Sequence, residues 1–173
     1  IGNTFFIAIF SFVLTNVIGL LLALALNRGL KTRYLLRTLL FLPVILSTIA
    51  VSYIFRFIFY IEGPINQFLV AIGQPDLQKT WLADATWSIW VILIVVVWQN
   101  IGFAMVIYLA GLATVPQELE EAAAIDGAGV WRRFRSVTMP MIQPAIAVST
   151  TLSIIQGMKI FDQVVAMTGG GPF

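Results

Sequence analysis

Residues 88–110 read SIWVILIVVVWQNIGFAMVIYLA, with no charged side chain among them. A helix crosses the roughly 30 Å hydrocarbon core of a bilayer in about 20 residues, so this stretch has spanning length. Its heart, Ile92 to Trp98, is continuously apolar, and Trp81, Trp87, Trp90 and Tyr108 flank it as amphipathic rings flank a span at the membrane interface. Working outward, the charge-free run itself covers 85–117, and three more cover 1–27, 38–55 and 136–158. With 60% of its 173 residues hydrophobic and 10% charged, the chain is too apolar for a water-soluble domain. Lipid offers no partner to an open backbone, so each span must be helical. The expected fold is an all-α membrane protein with four spanning helices, over about 5–27, 38–60, 88–110 and 144–160.

The segments between the spans set the orientation. Arg28, Lys31, Arg33 and Arg37 follow the first span, and Arg132, Arg133 and Arg135 lie in the loop 111–143. On the opposite side only Arg56, Lys79 and Lys159 occur. The excess of positive charge places both basic loops in the cytoplasm and the outer loop 61–87 on the other face. That outer loop carries Gly63, Pro64, Gly73, Pro75 and the charges Glu62, Asp76, Lys79 and Asp84, which predicts a loop with one short helix near Ile65 to Ile72. In the second span Pro43 lies near the start and Arg56 near the outer end, where its long side chain reaches toward headgroups. The fourth span is short, which leaves tilt, local thinning and a discontinuous helix all open. The chain opens on Ile1 rather than Met and ends at Phe173 after a glycine-rich turn, which predicts a piece of a longer protein with further spans at both ends.

Several chemistries are excluded by what is missing. Without Cys or His there is no disulfide framework and a zinc site is not expected, and the net charge of +2 comes mostly from a few clustered basic residues, too few and too badly spaced for a nucleic-acid surface. No phosphate-cradling Gly-rich Lys-Ser or Lys-Thr loop, no His or Cys nucleophile system and no tight carboxylate cluster within the membrane occurs, so the chain is not expected to be an enzyme.

The loop 111–143 is larger than a connection needs. Thr114 is placed to cap a helix, Pro116 suits its first turn, Glu118, Glu120 and Glu121 favour its positive end, and Gly127 and Gly129 are placed to end it. A second short helix, Val130 to Met139, is expected to stop at Pro140. Ala122, Ala123, Ala124, Gly127, Ala128 and Gly129 present almost no bulk, so another surface can approach the backbone closely.

The stretch Glu121-Ala122-Ala123-Ala124-Ile125-Asp126-Gly127-Ala128, followed by Trp131, Phe134 and Thr138-Met139-Pro140, closely resembles the EAA loop of binding-protein-dependent ABC importer permeases. Lys159-Ile160-Phe161-Asp162 and Thr168-Gly169-Gly170-Gly171-Pro172 look like the segment after the fifth span in sugar-uptake permeases of the maltose-system F-subunit type. The usual first and last spans are absent, and Met139 stands where leucine is common. The resemblance implies a MetI-like transmembrane core in the bacterial cytoplasmic membrane. It also implies a coupling helix, Glu121 to Gly127, seated in a separate cytoplasmic ATP-hydrolysing subunit. Glu121 would anchor that helix, Ala122 and Ala123 would form its close-packed face, and Gly127 would be the turn that avoids collision, with Asp126 also in the coupling set. The implied partners are ATP-binding subunits, a second permease subunit and an extracytoplasmic substrate-binding protein. No cofactor is expected in this chain, with ATP and Mg in the partner subunit.

Polar side chains at mid-span depth are costly against lipid and mark inward faces. Asn16, Ser47, Thr48, Ser52, Gln99, Asn100, Thr150, Thr151, Ser153 and Gln156 qualify. Gln99 and Asn100 stand out, as substrate contacts or as an interhelical clamp. Ser153 and Gln156 share a helical face, and Phe103 lies one turn beyond Gln99. Together these five predict a substrate pathway suited to a neutral carbohydrate, through hydroxyl-binding amides and a ring for an apolar sugar face. A permease for a polyamine or glycerol phosphate, and a channel or structural membrane protein, are the alternatives.

Overall fold

The computed structural model describes residues 2–27 and 31–171. The expectations attached to Ile1, Arg28 and Pro172 lie outside the described residues. The helices, in chain order, are α1 (Gly2–Leu26), α2 (Arg33–Ile45), α3 (Thr48–Ile58), α4 (Pro64–Ala71), α5 (Ala85–Ala113), α6 (Gln117–Ile125), α7 (Val130–Met141), α8 (Gln143–Met158) and α9 (Phe161–Thr168). No strand occurs among the described residues. Two helices, α1 with 25 residues and α5 with 29, are each long and apolar enough to cross a membrane. Two further pairs qualify only when taken together, α2 with α3 bent by 96° and α7 with α8 bent by 71°.

Helix α5 is the central post, and α1, α2, α8 and α9 all pack on it. It starts where Asp84 caps it, the carboxylate accepting from the N–H groups of Thr86 at 2.8 Å and Trp87 at 3.0 Å. The bond from Trp87, then that from Thr86, with the Lys79 charge nearby, hold the Asp84 carboxyl below its ordinary value. One buried cluster gathers Ile7, Val51, Val91 to Leu93, Val95 to Val97, Ile160 and Met167 around the N-terminal half of α5. A second joins Ala23, Leu26, Ala104, Met105, Leu112 and Ile142 around its other half. On α1 the stripe Ile9, Val13, Val17, Leu21 is exposed at every fourth position, an apolar face for lipid or a partner helix.

The second expected span, 38–60, is not one helix. Pro43 has no N–H for the carbonyl one turn back, and its ring crowds that carbonyl. Three residues later Leu46, and then Ser47, are extended, with ψ of 141° and 130°, before α3 restarts. This break lets the α2 backbone lie directly on Gly102 of α5. A Cβ built there would meet the Leu40 carbonyl and come within 2.9 Å of the Phe41 Cα.

Other expectations are also corrected. Thr114 does not cap α6; it closes α5, its hydroxyl donating to the Gly111 carbonyl at 2.8 Å, and Pro116 takes the N-cap position of α6. Pro140 does not stop the helix begun at Val130. A π-helical turn over Phe134–Thr138 widens the backbone ahead of the proline, and the helix runs on to Met141. The outer loop does contain a short helix, α4, but it is far from loose. The buried Asn66 side chain donates to the carbonyls of Ile61 at 2.9 Å and Lys79 at 3.0 Å, and accepts from the Trp81 indole N–H at 2.9 Å. Trp81 thus pins the loop to α4, where the sequence placed it at the membrane interface.

Candidate functional site

Gln99 stands at the midpoint of α5, equally far from Ala85 and Ala113. Its amide N–H donates to the Leu46 carbonyl at 3.1 Å, a group left without a helical partner by the break between α2 and α3. Its oxygen accepts from Gln163 of α9, also at 3.1 Å. With 5% exposure and both ends bonded, Gln99 takes the clamp geometry of its two expected roles, tying the α2–α3 break and α9 to the central helix.

Beside this clamp lies a cavity of about 330 Å³, with Gln99, Asn100, Gln156, Lys159, Asp162 and Gln163 on its wall. Asn100 donates back to the Val96 carbonyl at 2.8 Å. A narrow cleft shares Val96, Asn100 and Gln156 with it and reaches Ser11, Thr15 and Ser153. Four of the five expected pathway residues therefore lie together: Gln99, Asn100 and Gln156 on the cavity and Ser153 on the adjoining cleft. Phe103 lines neither. One helical turn past Gln99 carries it roughly 6 Å along the axis, beyond the end of the cavity.

Lys159, Asp162 and Gln163 were not among the expected site residues. A span running unbroken to 160 puts Lys159 at the outer surface. Instead α8 ends at Met158, the chain turns, and α9 begins at the depth of Gln99, as the Gln163–Gln99 bond requires. The available signal was the spacing of Lys159, Asp162 and Gln163, three and four residues apart as on one helical face.

A second polar cluster ties three helices together. The Asn16 carbonyl oxygen accepts from the Tyr108 and Ser149 hydroxyls, each at 2.7 Å, and its amide donates to the Phe12 carbonyl at 2.8 Å and to the Ser153 hydroxyl at 3.1 Å. Tyr108 is therefore an interior residue, not the interfacial ring expected of it, and Ser149 was overlooked beside Thr150 and Thr151. Replacing Asn16 by Leu is expected to destabilise the protein by about 2 kcal/mol, since two buried hydroxyls lose their acceptor. Thermal unfolding in detergent would read this. The triple change Asn16→Leu, Tyr108→Phe, Ser149→Ala should recover part of the loss, because no unpaired donor then remains.

On the other side of the molecule α6 is exposed along most of its length. Glu121, Ala122, Asp126 and Gly127 are open, whereas Ala123 is half-buried. Glu120, outside the expected set, accepts from the Thr138 hydroxyl at 3.0 Å and fixes α6 against α7. The end of α6 is a left-handed turn: Gly127 has φ +77°, its N–H donates to the Ala124 carbonyl at 3.1 Å, and the Ala128 N–H donates to the Ala123 carbonyl at 2.9 Å. A Cβ at Gly127 would meet nothing within 4 Å, so the chain itself imposes no steric limit there and the backbone angle alone calls for glycine. Around this turn Ile125 is 87% exposed and Trp131 72%, an apolar patch on a segment otherwise rich in charge.

Among the described residues no cluster of His, Cys, Asp or Glu could hold a metal ion. The chain matches, over residues 15–173, the family described as binding-protein-dependent transport system inner membrane component. It is 39% identical over 154 residues to the lactose transport system permease protein LacF of Rhizobium radiobacter, covering 88% of this chain and 51% of that protein. It is 36% identical over 174 residues to the trehalose/maltose transport system permease protein MalF of Thermococcus litoralis, covering 98% and 58%. With the probable starch degradation products transport system permease protein AmyD of Thermoanaerobacterium thermosulfurigenes it shares 35% identity over 165 residues, covering 95% and 56%. A chain in the crystal structure of a bacterial ABC transporter involved in the import of the acidic polysaccharide alginate shares the fold, with a TM-score of 0.82 at 24% identity, over 97% of this chain and 59% of that one. The chain thus spans little more than half the length of these relatives. From the family match and these identities, the chain belongs to the binding-protein-dependent transport system inner membrane components.

Proposed function

We propose that this chain forms the transmembrane core of a permease subunit in an ATP-driven importer that moves a sugar or oligosaccharide into the cell by alternating access. The observation that carries this reading is α6, a small-residue helix with a left-handed glycine end and an exposed apolar patch beside it, held between membrane-length segments. Such a helix suits a socket on a cytoplasmic ATP-hydrolysing subunit, with Glu121, Ala122, Ala123, Asp126 and Gly127 at the contact. In this reading α1, α5 and the two bent pairs make four crossings of a MetI-like core. A second permease subunit completes the pathway, and an extracytoplasmic binding protein delivers the cargo. Gln99, Asn100, Gln156 and Ser153 line the route, with Phe103 nearer its cytoplasmic end.

Sugar as cargo is supported by the names of relatives, which are transport system permeases for lactose, trehalose/maltose and starch degradation products. It also fits a cavity walled by amides, whose donors and acceptors match hydroxyl groups. The complete transporter containing this chain, reconstituted in vesicles, is expected to accumulate one of lactose, maltose or trehalose only when ATP and the binding protein are supplied. Flux without ATP, down the gradient, would instead support the channel alternative.

A further inference from the structure

Two charges face the mid-depth cavity, Lys159 and Asp162, and neither makes an ion pair or side-chain hydrogen bond among the described residues. Charges at this depth are expensive, and in membrane interiors they are normally paired or mark a functional path. Here each is favoured by its own helix end. Lys159 is the C-cap residue of α8, where the last carbonyls carry partial negative charge. Asp162 lies in the first turn of α9, where backbone N–H groups carry partial positive charge. The break between α8 and α9 thus holds a cation and a carboxylate on one cavity wall without either neutralising the other.

The neighbouring amides have less capacity left. Gln99 and Gln163 are bonded to each other, Gln99 also holds the Leu46 carbonyl, and Asn100 is bonded to its own helix. Gln156, Lys159, Asp162 and the Thr48 hydroxyl are the cavity's polar groups with no side-chain hydrogen bond among the described residues, and only Lys159 and Asp162 of these are charged. Their charges sum to zero, which suits neither a polycation nor a phosphate-bearing solute. A hydroxyl both donates and accepts, so a polyhydroxylated neutral ligand satisfies the ammonium and the carboxylate at once, through charge-assisted bonds.

Resting on the sugar-import reading above, we propose that Lys159 and Asp162 are specificity-determining residues for a neutral saccharide. The Asp162 carboxylate accepts from adjacent sugar hydroxyls, and the Lys159 ammonium donates to hydroxyl or ring oxygens. Sequence position alone assigned neither residue this role.

The test uses the complete transporter in nanodiscs without its binding protein, titrated by saturation-transfer NMR with lactose, maltose and trehalose. For whichever sugar the wild type imports in vesicles, Lys159→Gln and Asp162→Asn are each expected to weaken binding about fivefold to tenfold. The double variant should lose at least as much as either single one. The charge-retaining Lys159→Arg and Asp162→Glu should stay within about threefold of wild type, which separates a lost contact from a misfolded protein. The proposal is overturned if both neutral variants bind like wild type, or if the wild type imports a sugar in vesicles yet shows no titratable binding. It is equally overturned if the double variant regains wild-type affinity, since the two charges then serve only to balance each other. A wild-type transporter that imports none of these sugars would instead overturn the reading beneath it.

Discussion

Replacing Gly127 with valine is expected to cut ATP-dependent uptake more than tenfold while leaving ATP hydrolysis by the complex largely intact. Gly127 has φ +77°, in the left-handed region where a side chain with Cβ costs about 1–2 kcal/mol and a β-branched one more. That angle lets the Gly127 and Ala128 N–H groups bond back to the Ala124 and Ala123 carbonyls and close the last turn of α6. With valine the turn opens, the end of α6 frays, and Ile125 and Trp131 no longer present one surface. The result is a broken transmission, because the folded membrane part does not depend on this turn. Asparagine tolerates the left-handed region, so Gly127→Asn should retain at least half of the uptake. Equal damage from valine and asparagine would show that side-chain bulk against a partner, and not the backbone angle, makes the position glycine.

Replacing Gly102 with alanine is expected to cost about 3 kcal/mol, at the upper end for overpacking. The added methyl would run into the Leu40 carbonyl and the Phe41 backbone, and a backbone cannot swing aside as the end of a side chain can. The collision falls where the broken α2–α3 pair is seated on α5, so relief requires moving α2 and with it the Leu46 carbonyl held by Gln99. A drop in unfolding temperature of roughly 10 °C follows for a domain of this size. Gly2→Ala is the control. Nothing lies within 4 Å of a Cβ there, and its melting temperature should match wild type. A Gly102→Ala protein that melts with wild type would mean that α2 does not rest on α5 as described.

The parts of the fold legible in the sequence were those set by solvent alone. Charge-free length identified α1 and α5, because a bilayer imposes that length whatever the partners are. Small residues and acidic first-turn positions identified α6. What stayed hidden was set by tertiary contact. Pro43 was visible as a perturbation, but the break three residues later depends on Gly102 giving α2 a seat and on Gln99 capturing the freed Leu46 carbonyl. Pro140 reads as a helix stop by local rules, yet a π turn absorbs it. Tyr108 reads as interfacial because tyrosine usually is, whereas its hydroxyl finds Asn16, distant in sequence.

The candidate site was legible to the same degree. That Gln99, Asn100, Ser153 and Gln156 face inward was legible because amides and hydroxyls in hydrocarbon need partners, a rule that does not depend on the fold. The place of Lys159 and Asp162 on the cavity wall was not legible because it follows from the turn at the end of α8, and charge-free length gives no warning of a turn. Phe103 was included on helical spacing alone, which fixes a face but not how far along the axis a cavity reaches.

In the proposed function α6 projects on the cytoplasmic side and is gripped there by an ATP-hydrolysing subunit. The chain contains no cysteine, so a single Ala124→Cys gives an unambiguous probe. A membrane-impermeant maleimide should label it in inside-out vesicles and not in intact cells, and adding the ATPase subunit should block the labelling. Labelling from outside intact cells would contradict the topology and the transport mechanism together.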